Sequence, residues 1–227
     1  MAQPDIRVLA SPQHIFAAAA DLFVQHVHTN VALSGGSTPK GLFGLLAEPP
    51  YRQRMHWTDI TFYWGDERCV PPDDPESNYR MANEALLSKI PTGTVHRIHG
   101  EDDPHLAAEA YERLLPDGPL DLVLLGMGPD GHTASLFPHT PALQERSRRV
   151  TENYVDKLST WRVSLTAPEL QCAHQVLFLV AGADKAAALK QVLQGPENTE
   201  EYPSQLLRQA TGGVTWLIDA AAAAQLG

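Results

Sequence analysis

Cysteine is scarce in this chain. Of 227 residues only Cys69 and Cys172 carry a thiol, and they lie far apart in sequence. No CxxC pair and no Cys/His cluster at zinc spacing is present, so neither a disulfide scaffold nor a structural metal is expected. The two are read as free thiols, the usual state in a reducing cytoplasm. Long apolar runs are missing as well. None approaches the roughly 20 residues that a membrane helix needs; the longest, such as residues 176–183, has the length of a buried strand. The N-terminal MAQPDIRVLA has neither a basic n-region nor an apolar h-region, so no secretory signal is read there and a cytoplasmic location is expected. Basic residues are outnumbered: 17 Lys and Arg against 27 Asp and Glu give a formal net charge of −10. Nucleic acids and anionic membranes both want a basic face, so neither is an expected partner. An anionic small molecule stays open wherever a few cations converge. No linker, low-complexity tract or internal repeat divides the chain. With 43% hydrophobic residues it can bury a substantial core, and one domain over residues 1–227 is expected.

Strand-like and helix-like segments alternate. Short apolar runs predict strands at residues 6–9, 31–34, 60–64, 95–98, 122–125, 176–180 and 214–218. Helical spacing falls at 14–28, 38–47, 78–87, 105–115, 184–193 and 220–225. Residues 150–155 and 161–165 alternate like a β-hairpin. This order implies an α/β fold, a mainly parallel sheet with helices on both faces and a small antiparallel addition. The acidic stretch at 73–76, flanked by prolines, reads as a solvated turn.

Four motifs follow apolar strands, where open α/β sheets gather their ligands. The most informative is DLVLLGMGPDGHTASLFP at 121–138. Gly126, Gly128 and Gly131 permit a sharp path after the strand, and that path presents Asp130 and His132. An imidazole can carry a proton near neutral pH, and Asp130 is placed to set its tautomer or position. The spacing GxGxxG matches a dinucleotide fingerprint, but Pro129 interrupts the turn and Pro138 leaves room for six helical residues at most, so no nucleotide cofactor is expected. Ser135 shares the segment without a G-x-S-x-G elbow. The other histidines considered, His26, His28, His96, His99 and His174, are read as structural.

The second motif is SGGSTP at 34–39. Two glycines turn the chain and a helix opens, with Thr38 as expected N-cap and Pro39 at the first position. Free amides at Gly35, Gly36, Ser37 and Thr38 can cradle a phosphate; a well-capped turn without a ligand would have the same letters. It is not a P-loop, because Lys40 lies inside the helix. In WGDERCVP at 64–71, Arg68 can clamp a phosphate with paired hydrogen bonds and Asp66 can orient a sugar hydroxyl, or the charges can pair internally. Ser77 and Asn78 look like the cap of the next helix. In GADK at 182–185, Asp184 is the expected helix cap and Lys185 sits against the helix dipole, which suits a bound anion. Arg162 is either another convergent cation or an exposed strand residue.

Together these segments, with RVSLT at 162–166 and AGADKAAAL at 181–189, resemble the 6-phosphogluconolactonase family in order and spacing across most of the chain. The resemblance implies a Rossmann-like sheet related to sugar-phosphate deaminases and isomerases. It implies hydrolysis of a 6-phospho-gluconolactone, a step of the oxidative pentose phosphate pathway, without metal or organic cofactor. Carried onto this chain it makes His132 the catalytic histidine and puts substrate contacts at the loop 35–38, Arg68 and Lys185. Two other readings accompany it. A deaminase or isomerase on the same fold would need a second acid/base, for which Asp66 is the candidate. A sugar-phosphate sensor without turnover would usually carry a DNA-binding module, and no helix-turn-helix precedes the first strand.

Overall fold

The computed structural model describes residues 4–25 and 29–227. Its elements in chain order are β1 (Asp5–Leu9), α1 (Pro12–Gln25), β2 (Asn30–Leu33), α2 (Ser37–Leu46), β3 (Thr61–Trp64), β4 (Asp66–Arg68), α3 (Asn78–Ala85), α4 (Pro104–Glu112), β5 (Leu122–Leu125), β6 (Val150–Val155), β7 (Thr160–Leu165), α5 (Ala167–Cys172), β8 (Gln175–Val180), α6 (Ala186–Gln194) and β9 (Gly213–Asp219). Six strands form one sheet in the order β1-β9-β8-β5-β2-β3, and β4-β7-β6 form a second. Every pairing in the larger sheet is parallel, and those in the smaller are antiparallel. The expected α/β architecture with a small antiparallel addition is therefore the observed one.

The physical reason lies in the central strands. All four residues of β5 and five of six in β8 are buried. A strand buried on both faces must be covered on both, and parallel pairing with helical crossovers achieves that. Each Leu fully buried there contributes about 1.5–3 kcal/mol. Asp121 fixes the start of β5 against β2: its Oδ2 accepts from the Thr29 N–H, the Thr29 hydroxyl and the Asn30 N–H at 2.8, 2.8 and 2.9 Å. The chain runs outward from β2 to β3, then returns to β5 and continues the other way through β8 and β9. The reversal falls between β2 and β5, where a doubly wound sheet opens its ligand crevice.

Several expected elements differ. The first helix begins at Pro12, two residues early, and of the expected span residues 26–28, with His26 and His28, lie outside the described residues. Residues 95–98 are not a strand. Only Val95 bridges to Phe62, because the next groups of the ladder, the Trp64 N–H and carbonyl, are both taken by the Tyr111 hydroxyl. Residues 220–225 form turns rather than a helix. There the buried Asp219 carboxylate takes the Ala222 N–H at 2.7 Å as a helix cap would and also the Gly182 N–H at 3.1 Å. After one Ala223-to-Asp219 bond, however, the backbone bonds close over three residues, Ala224 to Ala221 and Leu226 to Ala223, and the turn does not propagate as a helix. No helix follows the glycines at 126–131. The helix expected at 184–193 starts at Ala186 after a 3₁₀ turn over Ala183–Lys185. Asp184 caps nothing and instead pairs with Lys185. Among the described residues no helix is long and apolar enough to cross a membrane. Cys69 is partly buried and Cys172 exposed, both as free thiols.

The end of β3 is held from α4. The fully buried Tyr111 hydroxyl accepts from the Trp64 N–H at 2.6 Å and donates to the Trp64 carbonyl at 3.0 Å. Two backbone groups depend on that hydroxyl at the point where the chain leaves one sheet for the other. Tyr111→Phe leaves both without this partner and lowers unfolding free energy by about 2 kcal/mol. Urea denaturation measures it, and a loss below about 0.5 kcal/mol would contradict the assignment.

Candidate active site

A cavity of about 270 Å³ opens at the C-terminal ends of β2, β5 and β8, bounded also by β4 and β7. Its lining includes loop 34–39, Asp66, Arg68, Asn78, Gly126, Gly128, His132, Phe137, Arg162 and Lys185. The expected site residues thus come from segments more than a hundred residues apart and meet at one strand-end crevice. Asp130 is the exception: it stands behind the imidazole rather than on the cavity wall.

The catalytic candidate is built from the turn after β5. The Gly128 N–H donates to the His132 carbonyl at 2.9 Å and the Gly131 N–H to the Gly128 carbonyl at 3.0 Å, closing a loop in which Gly131 has φ +76°. Asp130 Oδ1 lies 2.5 Å from His132 Nδ1. Burial pushes the Asp130 carboxyl up, but the His132 hydrogen bond and charge, with the Lys157 ammonium, override it and hold the group well below the usual carboxylate range. An ionised carboxylate only accepts, so Nδ1 carries the proton and donates it. In the neutral ring Nε2 is then the free base, and the ring borders the cavity. Phe137 stacks on the imidazole, with centroids 4.0 Å apart and planes 26° from parallel.

The phosphate cradle differs in detail from expectation. α2 begins at Ser37, and Gly36, at φ +99°, occupies the N-cap with no side-chain hydrogen bond. Thr38 is one residue inside the helix and is not the cap. With no side chain capping the helix, its first amides are left for a ligand. Gly35 is required by its neighbour: a Cβ there would sit 1.9 Å from Asn78 Oδ1.

Two cations face the same space. Arg68 on β4 is directly opposite Arg162 on β7 in the antiparallel register. Like charges directly opposite one another are unfavourable unless something negative lies between. Arg68 Nη1 donates to the Glu76 carbonyl, yet the Nε of Arg68 and the Nε of Arg162 are buried without a partner. Arg162 is 8% exposed, so it is a convergent cation and not a solvated strand residue. Burial, and then Arg68, depress its guanidinium, with Asp66 opposing. Lys185, paired with Asp184, completes the cationic wall.

The acidic residues next to them are held by internal hydrogen bonds, and Asp66 also lines the cavity. Asp66 Oδ2 accepts from the Ser135 hydroxyl at 2.7 Å, and Oδ1 from Asn78 Nδ2 at 3.4 Å. Ser135 therefore bonds to Asp66. The Glu67 carboxylate accepts from the N–H groups of Arg68, Asn78 and Tyr79 at 2.8, 2.7 and 2.8 Å and from the Ser77 hydroxyl at 3.1 Å. Its burial raises its pKa, and those backbone donors oppose the rise. Ser77 caps α3 as expected, through the Arg80 N–H at 3.1 Å. Sequence reasoning read Asn78 as part of a cap and missed its place in the cavity, where Oδ1 is a buried acceptor without a partner. It also missed Phe137, Glu67 and Lys157; only the proximity of Phe137 to His132 in sequence offered a signal.

Residues 5–216 match the family described as Glucosamine-6-phosphate isomerases/6-phosphogluconolactonase. A 6-phosphogluconolactonase of Haemophilus influenzae is 38% identical over 220 residues, covering 92% of this chain and 94% of its own. One from a Nostoc species is 41% identical over 241 residues, covering 97% and 98%. The solved structure of the 6-phosphogluconolactonase from Trypanosoma brucei aligns with a TM-score of 0.88 at 32% identity, over 99% of each chain.

The imidazole depends on the absence of a side chain at 128. A Cβ there would lie 2.1 Å from His132 Cε1 and Nδ1 and 2.7 Å from Asp130 Oδ1. Gly128→Ala is expected to drive the ring off Asp130 while the sheet stays intact. A crystal structure of that variant decides it, and an unmoved ring would contradict the packing described.

Proposed function

The chain belongs to the glucosamine-6-phosphate isomerase/6-phosphogluconolactonase family, and from that premise we propose how its cavity works: it hydrolyses 6-phospho-D-glucono-1,5-lactone to 6-phospho-D-gluconate, with His132 as general base. The activity is that of a 6-phosphogluconolactonase, a hydrolase of a carboxylic ester closed into a ring, and the step belongs to the oxidative pentose phosphate pathway. The observation that carries this reading is the His132 imidazole, held by Asp130 at 2.5 Å and bordering the same cavity as an uncapped helix N-terminus and two facing guanidiniums.

The phosphoryl group supplies the negative charge that the α2 amides and the Arg68–Arg162 pair lack. Charge-assisted hydrogen bonds to guanidinium are about twice as strong as neutral ones, so this end anchors the substrate. Anchoring one end places C1 of the lactone toward the imidazole. The carbonyl is already electrophilic, so no protein nucleophile is required. His132 Nε2 takes a proton from water as the water oxygen bonds to C1. The carbonyl π electrons move onto oxygen, where Lys185 or a loop amide meets the growing charge. Collapse re-forms the carbonyl and breaks the C1–O5 bond, and the imidazolium returns its proton to O5. The open-chain acid then ionises.

The rival reaction needs proton transfer between C1 and C2 and hence a second acid/base. Asp66, the candidate, is 7% exposed and accepts from Ser135 and Asn78. The lactonase needs no such group. The buried Asn78 Oδ1 is instead the acceptor available for a sugar hydroxyl.

His132→Ala keeps substrate binding and loses about 10²–10⁴ in kcat. A pH-stat assay on freshly made lactone, corrected for spontaneous opening, measures this, and an unchanged kcat removes His132 from the mechanism. In the same assay Arg68→Ala mainly raises KM, as expected of a phosphate anchor. A loss confined to kcat would make Arg68 the oxyanion donor instead.

A further inference from the structure

We propose that Lys157, in the turn between β6 and β7, is a positioning residue for this reaction, fixing the His132 imidazole and setting its charge through Asp130 and Phe137. The proposal rests on the reading of His132 as general base.

Two independent contacts carry it. The Lys157 ammonium donates to Asp130 Oδ2, while Oδ1 of the same carboxylate takes the His132 Nδ1 proton at 2.5 Å. Each carboxylate oxygen has its own partner, so the group cannot rotate without breaking one bond. The same ammonium lies 4.7 Å from the centroid of Phe137, within cation–π range. Phe137 is the ring stacked on His132. One side chain thus grips both the carboxylate at the imidazole edge and the aromatic ring on its face. Lys157 is absent from the cavity lining, so it acts through these two residues and not on substrate.

The turn is shaped to present it. Residues Asp156–Leu158 form a 3₁₀ turn closed by Ser159 at φ +49°, with the Ser159 N–H donating to the Asp156 carbonyl at 3.0 Å. Half of the Lys157 side chain is exposed, so the ion pair itself adds little to stability. Its effect on the ring is more direct. Asp130 favours the imidazolium and the Lys157 ammonium disfavours it. Together with Phe137 they hold the imidazole by its edge and its face. Asp66 and Arg68 on β4, Arg162 on β7 and Lys185 after β8 are the charged groups that line the same cavity as the ring, and Tyr202 packs against Gly131. None of these contacts Asp130.

Removing the ammonium while Asp130 stays ionised stabilises the imidazolium. Imidazole deprotonation then requires higher pH. A unit charge at this range, screened as partly exposed charges are, shifts a titration by on the order of half to one pH unit. The test follows the His132 ring by NMR pH titration in the whole protein, its signal identified by its loss in His132→Gln. Lys157→Met moves the ring's midpoint upward by about half a unit or more, and Asp130→Asn moves it downward. Lys157→Arg, which keeps the charge, restores the wild-type value. The acid limb of kcat moves with the ring in each variant, and KM for the lactone changes less than kcat. An unmoved midpoint in Lys157→Met overturns the proposal, as does a kcat loss that is uniform with pH. If wild type shows no lactonase turnover, the reaction assigned above fails instead, and the NMR midpoint still decides whether Lys157 sets the ring's charge.

Discussion

The Asp130–His132 hydrogen bond is the constraint around which the rest of the site is arranged. It fixes the tautomer that leaves Nε2 basic, and it works only while Asp130 is ionised. Partial burial opposes that ionisation, so the carboxylate needs donors on both oxygens, which His132 and Lys157 supply. The turn that brings Asp130 beside the imidazole needs Gly128 without a side chain and Gly131 in the left-handed region. The turn follows directly on β5, which is buried along its whole length and ends at Leu125. A preference of four apolar residues for the core thereby sets the position of one proton.

The opposite wall is organised by unsatisfied groups. Arg68 and Arg162 stand side by side across two strands, each with a buried Nε lacking a partner, and Asn78 Oδ1 is a buried acceptor in the same state. Buried polar groups are normally paired, and three exceptions clustered around one cavity describe the complement of a ligand: negative at one end, bearing hydroxyls beside it. The chain carries a formal net charge of −10, yet Arg68, Arg162 and Lys185 converge on this cavity. Such a cleft focuses an anionic substrate locally while the remaining surface repels polyanions.

How much of this was readable depends on the range of the interactions involved. The core strands β2, β5, β8 and β9 announce themselves as apolar runs, because burial is a local property of side chains. The parallel order follows from their alternation with helices. β4 does not: Asp66-Glu67-Arg68 has the composition of a loop, and becomes a strand only because β7 pairs with it and the Glu67 carboxylate takes the Asn78 and Tyr79 amides at the start of α3. The expected helix at 220–225 is rich in alanine and has an acceptor in Asp219, yet its backbone bonds close over three residues and leave a series of turns. Within the site, the chemistry of His132, Arg68 and the diglycine loop was legible, since those residue types follow strand ends. Thr38 was placed as the cap because Thr is a good one; the actual helix starts earlier and has no side-chain cap, which is what frees its amides. Asn78 and Lys157 were illegible because their importance comes from partners far along the chain, Asp66 and Asp130; Phe137 lies close to His132 in sequence, but its stacking on the imidazole is set by the fold.

The central claim is one of orientation, with the phosphoryl group at the α2 N-terminus and the Arg68–Arg162 pair, and C1 at the imidazole. A crystal structure with bound 6-phosphogluconate tests it most directly. The account predicts phosphate oxygens on the amides of loop 35–38 and on a guanidinium, with a C1 carboxylate oxygen in hydrogen-bond reach of His132 Nε2. A product bound the other way round, or one whose carboxylate lies beyond a bridging water from the ring, would contradict it.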